Sequence, residues 1–209
     1  MQRRQSEIKR LTKETRVTVK LNIDGSGKSL IRTGVPFLDH MLTLFGKHAV
    51  VDLNLHCKGD LQVDAHHTVE DCGIALGQAF YQALGDKAGI RRYGFGLVPM
   101  DECLARCVLD FSGRPFLVWR GMDELPFKSI TDAERNQDMS SAFRFGLARE
   151  FFQGFANEAR CNLHLELIYG REPHHVVEAL FKAFAKTVDM ACQRDPRVAG
   201  QIPSTKGAL

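Results

Sequence analysis

The strongest constraint in this chain is one phrase written twice: His66-His67-Thr68-Val69-Glu70 and His174-His175-Val176-Val177-Glu178. Each copy opens an amphipathic stretch with helical spacing, Ile74–Ala83 in the first case and Ala179–Met190 in the second. Residues three and four apart share a helix face, so each His can reach toward the Glu of its own copy. Adjacent helical residues diverge by about 100°, so the two His of one pair are poorly placed for one ion. Divergent imidazoles plus a carboxylate, in duplicate, therefore suggest two metal ions, each drawing ligands from several places. Imidazole with carboxylate suits Mn, Fe, Zn or Ni better than Ca or Mg.

The rest of the chain repeats around that phrase. Arg16–Ile23 alternates Val17, Val19, Leu21 and Ile23 on one strand face, Asp24–Gly27 reads as a hairpin turn, and Lys28–Arg32 returns. Leu104–Phe111, the turn Ser112–Pro115 and Phe116–Trp119 answer it. A helix at 37–46 matches one at 147–156, and a strand at 49–55 matches one at 162–168. In the first copy a turn at Lys58–Asp60 and a short strand at Leu61–Val63 lead into the histidines, and Gly85-Asp86 stops the helix that follows. The expected fold is α+β, two tandem β-β-α-β-(β)-α repeats with sheets packed against helices. The halves would span 1–94 and 95–193, with a tail at 194–209, and the polar stretch Asp123–Ser141 reads as a loop.

The repeat also assigns residues. His40 lies 26 positions before His66 and Glu150 lies 24 before His174, each at a helix start, so Glu150 is the counterpart of His40 and both join the candidate ligands. His56 and His164 each lie ten positions before their phrase, within strands, and read as structural. Eight groups result: His40, His66, His67, Glu70, Glu150, His174, His175 and Glu178. Shared over two ions they give about four protein ligands each, leaving positions for water or substrate.

Composition narrows the function classes. A net charge of +3 with scattered basic residues argues against nucleic-acid binding. No apolar run approaches membrane-spanning length, and Met1–Lys13 is charged and lacks the apolar core of a secretory signal. The six cysteines form no CxxC and fall mainly in apolar patterns, as buried reduced thiols of a cytoplasmic protein do. Gly25-Ser-Gly-Lys-Ser29 has the end of a P-loop, but Asn22 stands where that motif needs glycine and no helix pattern follows directly. Glu14, before the first recognisable strand, is a candidate general acid/base, and Glu70 and Glu178 join it as catalytic carboxylates. Arg92 and Arg114 sit in glycine-containing turns, and Ser204, Thr205 and Lys206 near the chain end add hydroxyls and a cation, the usual partners of phosphate.

Phe37-Leu-Asp-His40-Met-Leu, Asp64-Ala-His66-His67-Thr-Val-Glu70-Asp71, Ser112-Gly-Arg114-Pro, the second histidine phrase through Ala185, and Ser204-Thr-Lys206-Gly together resemble the imidazoleglycerol-phosphate dehydratases of histidine biosynthesis. The resemblance implies a lyase that dehydrates D-erythro-imidazole-glycerol phosphate to imidazole-acetol phosphate and water. It implies two Mn²⁺ ions per active site, binding the substrate imidazole as imidazolate. It implies a duplicated fold like domain 2 of ribosomal protein S5 and a symmetric 24-subunit shell with sites between chains. Carried over, the metal ligands fall on His40, His66, His67, Glu70, His174, His175 and Glu178, and substrate contacts on Glu14, Arg92, Arg114, Ser204 and Lys206. Many relatives have His where this chain has Glu150, and the 123–141 region is longer than usual. A metal-cemented structural protein would need neither Glu14 nor the basic tail, and a di-metal hydrolase would more often carry Asp-rich bridging ligands.

Overall fold

The computed structural model describes residues 4–122 and 143–209. Two similar halves succeed each other. The first runs β1 (Gln5–Leu11), β2 (Thr15–Asn22), β3 (Ser29–Arg32), α1 (Pro36–Ala49), β4 (Asp52–Gly59) and α2 (His66–Leu84). The second runs β5 (Tyr93–Met100), β6 (Cys103–Asp110), β7 (Phe116–Arg120), α3 (Gly146–Ala159), β8 (Asn162–Tyr169) and α4 (Pro173–Cys192). Each half forms a four-stranded mixed sheet, ordered β1-β2-β4-β3 and β5-β6-β8-β7. The first three strands of each order pair antiparallel, and the last pairs parallel to its neighbour. The architecture is α+β with a duplicated unit, as the repeated phrase suggests.

Several local expectations change. The strand that follows the first turn does not return as a hairpin partner. β3 lies parallel to β4, so β4 sits between it and β2. The Asp52 carboxylate explains the routing: it accepts from the Ser26 amide at 2.8 Å and the Lys28 amide at 3.1 Å, carrying the chain across the end of β4. β7 repeats this arrangement beside β8. Leu61–Val63 is a turn, not a strand. Ala49 closes α1, and Val50 turns left-handed (φ 57°) before β4 begins. β1 and β5 are edge strands without an apolar alternation to announce them: β1 reads QSEIKRL, and β5 presents Gly94 and Gly96 to the core. The Asp123–Ser141 stretch lies outside the described residues.

Helices cover one face of each sheet, and pairs of helices join the halves, α2 beside α3 and α1 beside α4. Glycines set the closeness of the first pair. A Cβ on Gly77 would lie 2.6 Å from the Phe155 carbonyl oxygen, and one on Gly154 would lie 3.0 Å from the Ile74 nitrogen. At the centre, one phenylalanine from each helix closes a ring of contacts. Phe45–Phe80, Phe80–Phe155, Phe155–Phe184 and Phe184–Phe45 have centroids 6.1, 5.6, 4.8 and 5.0 Å apart. All four are fully buried, and each contributes roughly 1.5–3 kcal/mol by leaving water. This knot packs the four helices together in their C-terminal halves, and the histidine phrases stand at the opposite, N-terminal ends of α2 and α4. Among the described residues no helix is long and apolar enough to cross a membrane.

Candidate active site

Both histidine phrases stand in the first turn of their helices. The Asp64 carboxylate accepts from the His66 amide at 2.8 Å, and Glu172 caps α4 by accepting from the His174 amide behind Pro173. The helices thus start earlier than their apolar periodicity alone suggests, and each pair of rings projects from a fixed end. Within each pair the rings diverge: centroids are 5.9 Å apart at 90° for His66–His67 and 6.1 Å apart at 87° for His174–His175.

That divergence sorts the candidate ligands. His40 of α1 meets His174 and Glu178 of α4, and Glu150 of α3 meets His66 and Glu70 of α2. In each triplet the donor atoms all lie within 4.8 Å of one another. The His40 and His174 Nε2 atoms both converge on Glu178 Oε2, at 3.3 and 3.2 Å. The two triplets are related by the repeat, with Glu150 filling the place of His40. Imidazole nitrogen with carboxylate oxygen, and no thiolate, is a donor set that fits Mn²⁺. Burial works against ionisation of Glu178, but the Lys182 ammonium, 2.7 Å from Oε1, and His40 outweigh it and hold the carboxyl below its ordinary range. Lys182 was not singled out from sequence. Its signal was the Glu-to-Lys spacing of four on a helix.

His67 and His175 join neither triplet. His67 Nδ1 donates to the Asp60 carboxylate at 3.0 Å, and Glu14 Oε1 lies 3.8 Å from its Nε2. His175 Nδ1 donates to Glu102 at 2.8 Å, and Asp101 Oδ2 lies 3.6 Å from its Nε2. The Asp60 and Glu102 hydrogen bonds raise both imidazoles above their ordinary pKa. Glu102 itself is pulled well below the carboxylate range, by His175 first and by the Glu172 amide second. Sequence reading missed Asp60 and Glu102 in this role. One comes from the turn before α2 and the other from the β5–β6 hairpin, so the repeat offered no pairing of them. Asp71, beside Glu70, is structural: it accepts from Arg10 and from the Thr15 hydroxyl, tying β1 and β2 to α2. His56 and His164 lie on the outer faces of β4 and β8, away from both triplets.

The phosphate candidates gather elsewhere, around the C-terminal tail. Arg92 grips Asp110 with Nε at 2.6 Å and Nη2 at 3.0 Å, and its Nη1 donates to the Pro203 carbonyl at 2.7 Å. Three of its five N–H donors are thereby used and two remain. Arg114 is exposed on the turn whose Gly113 (φ 76°) lies against Leu209. Ser204, Thr205 and Lys206 sit between these two anchor points, with the Lys206 amide donating to Ser204 Oγ at 3.2 Å. The Arg92 amide is held by the Ala191 carbonyl at 3.0 Å, near the C-terminal end of α4. The thirteen-residue rise from Glu178 to Ala191 is about 20 Å, so the metal candidates and phosphate candidates of one chain stand at opposite ends of α4. The Gly25–Ser29 segment builds no phosphate loop: Ser29 starts β3, and its hydroxyl is buried without a hydrogen-bond partner.

Comparison with known proteins gives this arrangement a family. Residues 33–188 match the family model described as imidazoleglycerol-phosphate dehydratase. The chain is 52% identical over 206 residues to the imidazoleglycerol-phosphate dehydratase of Herminiimonas arsenicoxydans, covering 99% of this chain and 98% of that one. It is 51% identical over 209 residues to the same-named protein of Hahella chejuensis, with both chains fully covered. Its structure is similar to that of the imidazoleglycerol-phosphate dehydratase from Staphylococcus aureus, with TM-score 0.77 and 36% identity over 91% of this chain and 99% of that one. The enzyme from Pyrococcus furiosus in complex with (S)-C348 also gives TM-score 0.77, at 31% identity over 97% and 100% of the two chains. The chain belongs to the imidazoleglycerol-phosphate dehydratase family of hydro-lyases.

Proposed function

We propose that this protein dehydrates D-erythro-imidazole-glycerol phosphate to imidazole-acetol phosphate in histidine biosynthesis, at a two-Mn²⁺ site shared between copies of the chain. The observation that carries the reading is the pair of repeat-related His/His/Glu and His/Glu/Glu triplets, each one ligand short of four, with His67 and His175 directed away from both. Their Nδ1 atoms are engaged by Asp60 and Glu102, so Nε2 is the nitrogen each offers outward. Completing the triplets with His67 and His175 of other copies gives four protein ligands per ion. The same assembly brings the Arg92–Arg114–tail locus of one copy to the metal candidates of another, which the separation along α4 requires. A 24-subunit shell built on S5-like halves is the assembly we favour, and the six buried free thiols fit a cytoplasmic setting.

Bound there, Mn²⁺ supplies the positive charge that lets the substrate's imidazole ring take on negative charge. The chain's own residues do the rest. Dehydration removes hydroxide from the carbon attached to the ring and a proton from the next carbon. The resulting enol becomes the ketone when its hydroxyl gives up a proton and the ring-bearing carbon gains one. Glu14, beside the outward nitrogen of His67, is the carboxylate placed to move these protons. Arg92, Arg114, Ser204 and Lys206 hold the phosphate, fixing the three-carbon chain against the metals. Glu70 and Glu178 would hold the ions from within the triplets, their carboxylates facing the substrate as further acid/base groups.

The test is turnover of imidazole-glycerol phosphate by metal-stripped protein with and without added Mn²⁺. Restoration by Mn²⁺ supports the reading. No turnover from a folded, Mn²⁺-loaded oligomer would overturn it.

A further inference from the structure

One buried cation takes no part in this chemistry. Lys87 is 1% exposed, its backbone is left-handed (φ 62°), and burial pushes its amine below the ordinary lysine value. A buried charge and a left-handed non-glycine backbone are each costly, and an apolar side chain of the same length would escape the first cost. Lys87 Nζ donates to the Phe111 carbonyl at 3.2 Å. The Phe111 amide in turn donates to the Arg92 carbonyl at 3.2 Å, and Phe111 leads directly into Ser112-Gly113-Arg114. The loop that carries Lys87 also holds the tail. The Gly89 amide donates to the Gln201 carbonyl at 2.8 Å, and the Asp195 amide donates to the Gly89 carbonyl at 2.9 Å. Arg92 reaches Pro203 from the end of the same loop. Residues 85–92 are thus a platform with the C-terminal tail on one side and the Arg114 turn on the other. Lys87 is its grip on that turn.

We infer that Lys87 is a positioning residue for substrate phosphate, acting through the Phe111 carbonyl to set the Arg114 turn against Arg92 and the tail. The inference rests on the reading that Arg92, Arg114, Ser204 and Lys206 hold that phosphate. A mere plug in the core would need no charge, and its replacement by an apolar isostere would leave substrate binding alone.

The experiment compares Lys87→Met, Arg114→Ala and the double variant in the full-length, Mn²⁺-loaded protein. It reads KM and kcat for imidazole-glycerol phosphate, inhibition by inorganic phosphate, and Tm. Lys87→Met should raise KM about tenfold and weaken phosphate inhibition to match, the loss expected for a hydrogen bond from a charged donor, with kcat within about twofold. Because Lys87 acts through the Arg114 turn, the double variant should bind no worse than Arg114→Ala alone. If the Met variant does not fold, Lys87→Gln, which is too short to reach Phe111 in the same way, carries the same expectation. Unchanged KM and phosphate inhibition in Lys87→Met, while Arg114→Ala raises KM and weakens phosphate inhibition, would overturn the role of Lys87 alone. Additive effects in the double variant would do the same. An Arg114→Ala variant with unaltered phosphate recognition would overturn the phosphate reading as well.

Discussion

His40 on α1 and Glu178 on α4 are 138 residues apart in the chain and 3.3 Å apart in space, His Nε2 to Glu Oε2. Each has a repeat counterpart, Glu150 and Glu70, brought together in the same way on α3 and α2. Two sites built by one duplicated rule predict two independent metal positions. Glu178→Gln should lower the Mn²⁺ content of the purified protein from about two ions to about one per chain, the ligand loss being confined to its own triplet. Metal analysis after gel filtration decides this, and two tightly held ions in the variant would refute the assignment.

Glu150 stands on α3 where the repeat puts the counterpart of His40. Its carboxylate lies with His66 and Glu70, so Glu150→His should keep metal while Glu150→Ala should weaken Mn²⁺ binding at that triplet by at least tenfold. Titration followed by electron paramagnetic resonance separates the two. Equal affinity in wild type and Glu150→Ala would remove Glu150 from the ligand set.

The metal-free protein should carry a pH signature from His67 and His175. Their hydrogen bonds to Asp60 and Glu102 raise both imidazoles above the unfolded value. The stability these contacts add is therefore fully present below the ordinary histidine pKa and is lost as pH rises through the raised, folded value. Tm of chelator-treated protein, measured from pH 5.5 to 8.5, should show a component that the Asp60→Asn/Glu102→Gln double variant lacks. Identical pH profiles for the two proteins would contradict it.

How much of this was legible beforehand differs by level. The duplicated histidine phrase marked the repeat, and near-equal spacings of 26 and 24 positions to it, together with a shared place at a helix start, matched Glu150 to His40. Strand order was hidden. Whether Lys28–Arg32 pairs back on β2 or crosses to lie parallel with β4 depends on Asp52 gathering the Ser26 and Lys28 amides, a contact no periodicity encodes. β1 and β5 escaped because their inner faces are apolar only in part, Ile8 standing between Ser6 and Arg10 and Val98 and Met100 following Gly94 and Gly96: the Ser6 hydroxyl donates to the Ala79 carbonyl on α2, and Gly96 leaves room for Ala183 on α4. The partners of His67 and His175 were invisible for a related reason. They come from unlike places in the two halves.

The close α2–α3 contact should be as important to the site as the ligands. A Cβ at Gly77 would meet the Phe155 carbonyl oxygen at 2.6 Å, so Gly77→Ala must push the helices apart. The expected cost is about 1–3 kcal/mol of stability. Because α2 carries His66 and Glu70 while α3 carries Glu150, the same shift should weaken Mn²⁺ at that triplet more than at His40–His174–Glu178. Calorimetry and metal titration together check this, and a variant with wild-type Tm would show that the contact has slack.

The central claim is that one chain does not hold a complete site: His67 and His175 serve triplets belonging to other copies. The most direct measurement mixes two inactive variants, His67→Ala and His40→Ala, by dissociating and reassembling them together with Mn²⁺ before assaying dehydration of imidazole-glycerol phosphate. Each variant alone lacks a ligand at every equivalent site, but in mixed assemblies some sites draw every ligand from intact positions on different chains. Turnover well above that of either variant alone is the predicted result. Mixed assemblies as inactive as the separate variants would contradict the account, placing all ligands of a site within a single chain.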